Sequence, residues 1–201
     1  ADAPVNGQHP YTSYVVQLPV RRADGALALL PALLPRTADV SSDYLPLTHA
    51  NLLRQGFKFL GERYGWGHSY NTRDCSGFVS EVYRSMGITL PRNTSAQAVS
   101  PALERVGFDA STTHEQRLAV LRTLQVGDLV YIPGHVMMVI GHDNGTTYTI
   151  HDTTGITYRG TDGTPVRARL NSVAVTPLEP LMFNSEQPTV DRITAIQRIR
   201  P

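Results

Sequence analysis

The chain has 201 residues, of which 41% are hydrophobic and 17% are charged, and its formal net charge is +1. This length and composition are typical of a globular protein with one substantial core and room for a small appendage. A nearly neutral charge argues against a nucleic-acid partner held by its phosphates. No stretch has the roughly 18 consecutive apolar residues of a membrane-spanning helix. A single cysteine excludes an intrachain disulfide and a cysteine-rich zinc site.

Residues 1–46 are rich in proline and carry an Asp24-Gly25 turn signal between two short apolar runs, at 14–18 and 27–30. Proline removes a backbone donor and disrupts helix interiors. The segment therefore predicts short strands or an extended arm, with the turn signal between them.

A helical pattern begins at Thr48 and is expected to continue to the glycines of the segment Tyr64-Gly65-Trp66-Gly67. Its apolar residues fall close to one face, which predicts a helix that faces the core. They are Leu52, Leu53, Phe57 and Leu60. The two glycines around Trp66 indicate a tight turn with close backbone packing.

Cys75 opens a second helical pattern, for which Asp74 is the predicted N-cap and Gly87 the left-handed C-terminal cap. The free N–H groups and the dipole at a helix start stabilise a thiolate. In such a place a cysteine pKa can fall from about 8.5 to roughly 3.5–7.5. The Asp74 carboxylate would oppose that effect unless it faces away or binds a substrate amine. A buried structural thiol is the alternative.

The segment 90–125 predicts a loop, a short helical turn from Thr94 or Ser95 through Gln97, and a second helix that begins at Thr113. Thr113 and Gln116 have the spacing of a capping box. His114 is predicted to be a solvated residue of that helix start.

The periodicity then changes to strand-like runs at 129–132, 136–140 and 146–150, with shorter pieces at 156–159 and 166–170. The isoleucine repeat in 193–199 is ambiguous between helix and strand. Helices followed by an antiparallel meander predict an α+β fold, with the N-terminal helices packed on the sheet.

A cysteine nucleophile needs a base, and the base needs an orienting partner. His135 and His142 are seven residues apart, so on an unbroken strand they point to opposite faces. His135 and His151 share a face only if the connecting loop has an odd length. We predict a three-residue loop, 143–145, which pairs His142 with Thr146 and points His142 outward. A two-residue Asn144-Gly145 turn would separate His135 from His151.

A zinc site of His135, His151 and Cys75 is a rival interpretation. It lacks the closely spaced ligand pairs of usual zinc motifs and ranks below the catalytic use. Each histidine taken alone could also be an ordinary core residue.

The run YGWGHSYNTRDCSGFVSEVYRSMGITLPRNTSAQ, followed by GDLVYIPGHVMMVIG and YTIHD, resembles the NlpC-type cysteine peptidases. These are papain-like bacterial enzymes that cut cell-wall peptides. The resemblance covers residues 45–160, and the ordered combination of motifs is specific. It implies that Cys75 is the nucleophile, His135 the general base and acid, and His151 the residue that orients His135.

The resemblance also implies a substrate site around Cys75. Tyr64 corresponds to the tyrosine whose hydroxyl helps form the oxyanion site, and the backbone N–H of Cys75 or Ser76 is a further candidate donor. Asp74 matches the residue that binds the terminal amine of free peptides. We also expect Trp66 and Thr94 to contribute to substrate binding.

The segments YVVQLPVRRADG and SSDYLPLTHANLLRQ resemble the end of a bacterial Src-homology-three-like domain and its junction to the peptidase. We therefore assign residues 1–46 to the end of an accessory β domain or a linker arm, and residues 47–201 to the NlpC-type catalytic domain. The chain resembles a C-terminal portion or a member with a reduced front end. A missing N-terminal domain or a second chain is expected to complete the pocket.

Two departures from the family pattern concern access to the site. The segment 100–125 is longer than in compact relatives and is expected to add a helix at the rim of the groove. His68 stands where the family often has glycine, which would narrow the approach to Cys75.

The expected function is hydrolysis of peptidoglycan stem peptides at the γ-D-glutamyl to diamino acid bond, through a Cys75 thioester and without a metal or cofactor. The expected partners are stem peptides or murein fragments, with no nucleic acid and no membrane span. The expected location is the periplasm or exterior, or the cytoplasm for a murein-recycling enzyme. The alternatives are an inactive cell-wall binding or assembly module, and an acyl transferase or amidase on the same fold.

Overall fold

The computed structural model describes residues 3–101 and 103–200. The chain divides into two compact units, Ala1–Asp43 and Tyr44–Pro201. The division lies close to the predicted boundary between residues 46 and 47. The assignment of the first unit to an accessory domain stays a prediction.

The first unit contains one antiparallel hairpin, formed by β1 (Ser13–Arg21) and β2 (Leu27–Pro35). At the turn, Gly25 has a φ of 85°, and Asp24 Oδ1 accepts a hydrogen bond from the Ala26 N–H at 3.0 Å. The short strands and the Asp24-Gly25 turn are confirmed.

Among its described residues, 44–101 and 103–200, the second unit combines four α-helices with an antiparallel sheet, which confirms the α+β class. The helices are α1 (His49–Lys58), α2 (Cys75–Arg84), α3 (Thr94–Ala98) and α4 (His114–Leu121). The strands are β3 (Glu104–Gly107), β4 (Leu129–Ile132), β5 (His135–Asp143), β6 (Thr146–Arg159), β7 (Pro165–Pro177), β8 (Leu181–Met182) and β9 (Ala195–Arg198). The sheet order is β3-β9-β4-β5-β6-β7, with β8 paired to β6.

The sheet buries a different apolar cluster on each face. Phe78 and Val82 of α2 pack with Met138 and Ile150 on one face. The other face carries a second cluster, which includes Leu121 of α4 together with Met137, Val139 and Ile196. Because side chains alternate along a strand, β5 contributes to both clusters. The ambiguous isoleucine repeat is resolved as strand β9, and the predicted pieces at 156–159 and 166–170 belong to two long strands, β6 and β7.

Three predicted helix starts are confirmed by side-chain caps. Thr48, Asp74 and Thr113 each accept a hydrogen bond from the third backbone N–H that follows. At Thr113 the Gln116 side chain bonds back to the cap, which completes the predicted capping box. Cys75 is therefore fixed as the first residue of α2.

The end and the apolar face of α1 differ from the prediction. The helix ends at Lys58, before the glycines at 65 and 67. Leu52 is fully buried, but Phe57 and Leu60 are 43% and 51% exposed. Gly56 is buried instead, and a Cβ placed there would lie 3.0 Å from the methyl of Met138. The close approach of backbone to sheet at Gly56 replaces the side-chain contact expected of Phe57.

The segment 100–125 contains β3, which was not predicted, and α4. His114 at the start of α4 is not simply solvated, because its Nδ1 lies 2.7 Å from Asp191 Oδ1. Arg117 is 6% exposed and donates to the carbonyl oxygens of Ile193 and Asp109. Polar contacts to the C-terminal part of the chain therefore hold α4 in place.

The turn between β5 and β6 differs from the predicted loop. Asp143 pairs with Thr146, so only Asn144 and Gly145 connect the strands, with φ values of 47° and 81°. Positive φ at both central residues is the turn geometry that matches the twist of a hairpin. The predicted three-residue loop is wrong.

A β-bulge compensates for the shorter turn. The register shifts between Val139 and Gly141, where β5 carries one residue more than β6. The two-residue turn and the one extra residue of the bulge together add three unpaired residues between His135 and His151. Because this number is odd, the two histidines share a face. The predicted alignment is therefore confirmed through a different device. His142, beyond the bulge, is exposed as expected.

Replacement of Phe78 by alanine is expected to lower the free energy of unfolding by about 3–5 kcal/mol, because the ring is fully buried and packs edge-on against Phe59. Phe57→Ala on the exposed side of α1 is the matched control, with an expected loss below about 1 kcal/mol. Urea unfolding followed by circular dichroism measures both. Equal losses would contradict the described packing of the two helices.

Candidate active site

The Cys75 thiol lies between the start of α2 and the start of β5. The residue is 6% exposed, and its Sγ is 3.9 Å from the Gly134 carbonyl oxygen, to which the thiol donates. Pro133 and Gly134 form the turn between β4 and β5, so the strand that carries His135 starts directly beside the thiol. The packing of α2 on β5 thus brings the cysteine to the histidine strand.

The pKa of Cys75 is raised and not lowered as the helix position alone predicts. Burial raises it to about 11, and the nearby Asp74 and Asp152 carboxylates act in the same direction. The backbone N–H groups of Val136 and Ser76 oppose this effect but do not overcome it. The expected low pKa is wrong in this geometry because desolvation outweighs the helix dipole. Near pH 7, Cys75 in this geometry is therefore a neutral thiol.

His135 and His151 form a hydrogen-bonded pair across β5 and β6. The distance between His135 Nε2 and His151 Nδ1 is 2.7 Å, and the rings meet edge to face with centroids 5.0 Å apart. Burial lowers the pKa of His135 to about 4 and that of His151 well below its usual range. Both rings are therefore neutral near pH 7.

A third residue, Thr176 of β7, completes a chain of polar groups. Its Oγ1 lies 3.0 Å from His151 Nε2. If the His151 Nε2–H donates to Thr176, then His151 Nδ1 accepts from the His135 Nε2–H. His135 Nδ1 is then unprotonated and available to take the thiol proton. General-base chemistry requires this assignment of protons.

Asp74 holds more donors than its predicted cap role requires. Its Oδ1 accepts from the Gly77 N–H at 2.8 Å and from the Ser76 hydroxyl at 3.1 Å. Its Oδ2 accepts from Arg92 at 2.7 Å and from the Gly67 N–H at 3.1 Å. Burial acts to raise the pKa of Asp74, but the hydrogen bonds from Arg92 and Gly77 lower it below its usual value. The carboxylate neither faces away nor waits unpaired for an amine.

The cleft at Cys75 is a cavity of about 170 Å³. Tyr64, Trp66 and Thr94 all line it together with Cys75 and Ser76, so the predicted substrate residues are gathered in one place. Trp66 is 77% exposed and offers an open aromatic wall. Burial and the Cys75 and Asp74 groups raise the pKa of Tyr64 to about 12, which keeps its hydroxyl protonated and able to donate.

A second cavity, of about 290 Å³, is lined by His135 but not by Cys75. We call it the His135-side cavity; it is lined by both histidines and by parts of β6, β7 and β8. None of the described residues between 100 and 125 lines this cavity or the Cys75 cleft. The helix expected at the rim of the groove is therefore elsewhere.

His68 does not line either cavity. Its ring lies over Gly77 of α2, where an added Cβ would fall 2.3 Å from His68 Nε2. The predicted narrowing of the approach to Cys75 is not seen. His68 instead requires glycine in the first turns of α2.

Four buried or paired residues at the site escaped the sequence reasoning. Arg92 lies in the loop after α2 and Gln97 in α3. Gln97 is 1% exposed and donates to the Ser76 and Pro91 carbonyl oxygens. Asp152 follows His151 directly, and Thr176 of β7 bonds to the His151 ring through its hydroxyl. A polar residue inside an apolar strand run, as at 152 and 176, is the signal that would have marked the last two.

Within the described part of the chain, no cluster of three or more histidine, cysteine, aspartate or glutamate side chains is arranged to hold a metal ion. None of the described helices is both long and apolar enough to cross a membrane.

A cysteine at the start of a helix, beside two hydrogen-bonded histidines on an antiparallel sheet, defines a papain-like site. The NlpC/P60 family matches residues 61–175, which is more than half of the chain. The chain belongs to this family.

Known relatives agree with this assignment. A probable endopeptidase p60 of Listeria seeligeri is 34% identical over 110 residues, and a gamma-D-glutamyl-L-lysine dipeptidyl-peptidase of Bacillus cereus is 35% identical over 103 residues. The matches cover 48% and 47% of this chain but only 18% and 26% of those two proteins. The chain thus corresponds to a minor part of each relative.

Two solved structures share the fold. An NlpC/P60 endopeptidase from Photobacterium damselae subsp. piscicida aligns with a TM-score of 0.72 at 19% identity, over 91% of this chain and 45% of the other. An NlpC/P60 family protein from Bacillus cereus aligns with a TM-score of 0.54 at 25% identity, over 96% and 52%. The papain-like α+β fold predicted from the sequence is confirmed.

Asp152 is a buried carboxyl without a hydrogen-bond partner among the described residues. Burial raises its pKa from 3.8 to about 7, helped by the Glu62 and Asp74 charges and opposed by Arg73. A raised folded-state pKa means that the stability contribution is complete below about pH 4 and is lost as the pH rises through about 7.

Asp152→Asn is therefore expected to gain stability relative to the unchanged chain as the pH rises from 4 to 8, by up to about 4 kcal/mol. Urea unfolding at several pH values measures the difference. Asp143→Asn, on the exposed end of β5, is the matched control and should give no such trend. Parallel stability curves for Asp152→Asn and the unchanged chain would show that residue 152 does not titrate in this range.

Proposed function

We propose that this chain is a cysteine endopeptidase that hydrolyses peptidoglycan stem peptides at the bond between γ-D-glutamate and a diamino acid. The observation that carries the proposal is the His135–His151 hydrogen bond of 2.7 Å on the strand that starts beside the Cys75 thiol. Membership of the NlpC/P60 family supports the peptidase class. The choice of scissile bond is suggested by the name of the Bacillus cereus relative, a gamma-D-glutamyl-L-lysine dipeptidyl-peptidase at 35% identity.

The proposed reaction begins from the neutral thiol and imidazole. His135 Nδ1 takes the thiol proton as Cys75 attacks the scissile carbonyl, because neither group is charged at rest. The His135 Nε2–H to His151 bond strengthens as His135 becomes positive. The negative oxygen of the tetrahedral intermediate accepts hydrogen bonds from Tyr64 and from a backbone N–H of Cys75 or Ser76.

Collapse of the intermediate releases the amine of the diamino acid, which takes its proton from His135. The acyl part stays on Cys75 as a thioester. Water, activated by His135, then hydrolyses the thioester and regenerates the thiol. No step requires a metal or cofactor.

Asp74 is proposed to hold the terminal amine of the peptide. Because Arg92 already pairs with this carboxylate at 2.7 Å, the amine must share Asp74 with Arg92 or displace one of its donors. Trp66 and Thr94 would contact the bound peptide from the walls of the cleft. We propose that a further N-terminal domain or a second chain completes this pocket, and that the enzyme works in the periplasm or outside the cell.

A second candidate is an inactive cell-wall binding module, which a thiol of low reactivity would also suit. The raised pKa of Cys75, about 11, leaves almost no thiolate near pH 7. Low reactivity of the thiol is expected of both candidates in this geometry, so only product formation separates them.

Cys75→Ala and His135→Ala are each expected to lower the rate of cleavage of the free peptide L-alanyl-γ-D-glutamyl-L-lysine by at least about 1,000-fold. Chromatography of the released L-lysine measures the rate. His142→Ala is the matched control, because His142 is exposed and bonds only to groups outside the site; its rate should stay within about twofold. Cleavage that survives in Cys75→Ala would exclude the thioester mechanism.

Alkylation of the unchanged chain by iodoacetamide should accelerate about tenfold for each pH unit between 7 and 10, because the pKa of Cys75 is about 11. A rate that is constant between about pH 5 and 8 would instead show a preformed thiolate and imidazolium. The chain unfolded in urea is the control. Its exposed thiol should react faster at pH 8, since burial no longer raises the pKa.

A further inference from the structure

We propose that the His135-side cavity binds the leaving part of the substrate and that Arg167 recognises a carboxylate on it. The inference rests on the proposed function and extends it to the side of the scissile bond that the Cys75 cleft does not cover. It starts from a cavity of about 290 Å³ that contains both histidines but not the nucleophile.

The chemistry of the reaction fixes which part of the peptide lies in this cavity. The acyl part must reach Cys75 and the oxyanion donors, which line the other cleft. The amine that leaves takes its proton from His135, so the leaving residue must lie beside that ring. His135 forms one wall of the His135-side cavity, and the leaving residue therefore extends into it.

Arg167 is the charged residue of this cavity. It stands on β7 opposite Thr157 of β6, and both residues line the cavity. Within residues 3–101 and 103–200, its guanidinium forms no ion pair, hydrogen bond or aromatic contact, and no carboxylate is among the lining residues. A guanidinium without a partner at the edge of a substrate cavity is suited to a planar carboxylate, which it can bind through two parallel hydrogen bonds.

The remaining walls indicate what connects the amine to the carboxylate. Ile132, Met137 and Ile156 line the cavity, and Leu181, Met182 and Phe183 continue its apolar surface. An aliphatic chain between the scissile amine and the carboxylate would lie against these side chains. Phe183 is itself held in place by Arg192, whose guanidinium stacks 4.7 Å from the ring centroid.

Glycine at 155 lets β6 and β7 approach each other closely beside Arg167. A Cβ at Gly155 would fall 2.5 Å from the Ala168 carbonyl oxygen, so β6 and β7 approach there as closely as the backbones allow. The register shift between Thr153 and Gly155 lies at the same point. The register of the long β6–β7 pair thus places Arg167 at the cavity, opposite Thr157.

The carboxylate has two sources in a stem peptide: the α-carboxylate of the leaving residue, or a second carboxylate at the end of its side chain. Three L-alanyl-γ-D-glutamyl substrates distinguish them. Their leaving residues are L-lysine amide, which has no carboxylate, L-lysine with a free α-carboxylate, and diaminopimelate whose α-carboxyl is an amide.

Arg167→Ala is expected to lower kcat/KM about tenfold or more for one or both carboxylate substrates, mainly through a higher KM. The lysine amide should be cleaved at an unchanged rate. Arg167→Lys should restore part of the loss, and added salt should reduce the effect because Arg167 is exposed. An equal loss on all three substrates, or no loss on any, would overturn the inference.

Arg169→Ala is the matched control. Arg169 lies two residues further along the same strand, is exposed and does not line the cavity. Its removal changes the net charge equally and should leave the ratio between substrates unchanged. The same selective loss in Arg169→Ala would attribute the effect to overall charge and overturn the site.

A binding measurement keeps the test independent of turnover. L-Lysine, its amide, and diaminopimelate are titrated into Cys75→Ala and into the double variant Cys75→Ala/Arg167→Ala, with the His135 and His151 ring signals observed by NMR. Carboxylate-dependent shifts that vanish with Arg167 support the inference, and their absence in Cys75→Ala overturns it. Failure of the unchanged chain to cleave any substrate would instead count against the proposed function.

Discussion

The hydrogen bond between His135 and His151 is the interaction on which the rest of the site depends. It joins two neighbouring strands on the face that β5 and β6 share, and Thr176 extends it to a third strand. In the proposed mechanism, one strand supplies the base, the next supplies the ring that orients it, and the third supplies a hydroxyl that bonds to that ring. The register of β5, β6 and β7 therefore determines whether His135 Nδ1 is free to accept a proton in that mechanism.

Burial determines the charge states of Cys75 and His135. The same desolvation that raises the pKa of Cys75 lowers that of His135, so the thiol and the imidazole both rest neutral. In the proposed mechanism, the charge separation is thereby postponed until substrate is present, when Tyr64 and the backbone N–H groups would face a developing oxyanion. Arg92 keeps Asp74 ionised and pairs with it, so this one of the two carboxylates near the thiol is neutralised by an adjacent cation.

The sequence predicted the class of fold and the helix starts because those features are local. A cap and a capping box depend on residues a few positions apart, as at Asp74 and Thr113, and the structure has both. The end of α1 and the role of Gly56 were missed because they depend on how closely the helix approaches the sheet. Thr176 and Asp152 were missed for a similar reason, since their importance comes from a neighbour on another strand or from burial.

The pKa of Cys75 shows the limit of a local argument in another way. A helix start lowers the pKa of a thiol in isolation, but the sequence does not show that the thiol is 6% exposed or that two carboxylates lie near it. The prediction of a three-residue hairpin loop is wrong because it also rested on a local argument. The turn residues favour a two-residue Asn144-Gly145 turn. Only the pairing along the whole of β5 shows the bulge that returns His135 to the same face as His151.

The bulge in β5 also sets a rule for changes of chain length in this hairpin. The turn contributes two unpaired residues and the bulge contributes one. Whether His135 points to the same face as His151 depends on this total being odd. An insertion of two residues at the exposed turn preserves that parity, whereas an insertion of one rotates the base away from its partner. Length variation in this part of the fold is therefore tolerated in pairs, or as a gain at the turn matched by loss of the bulge.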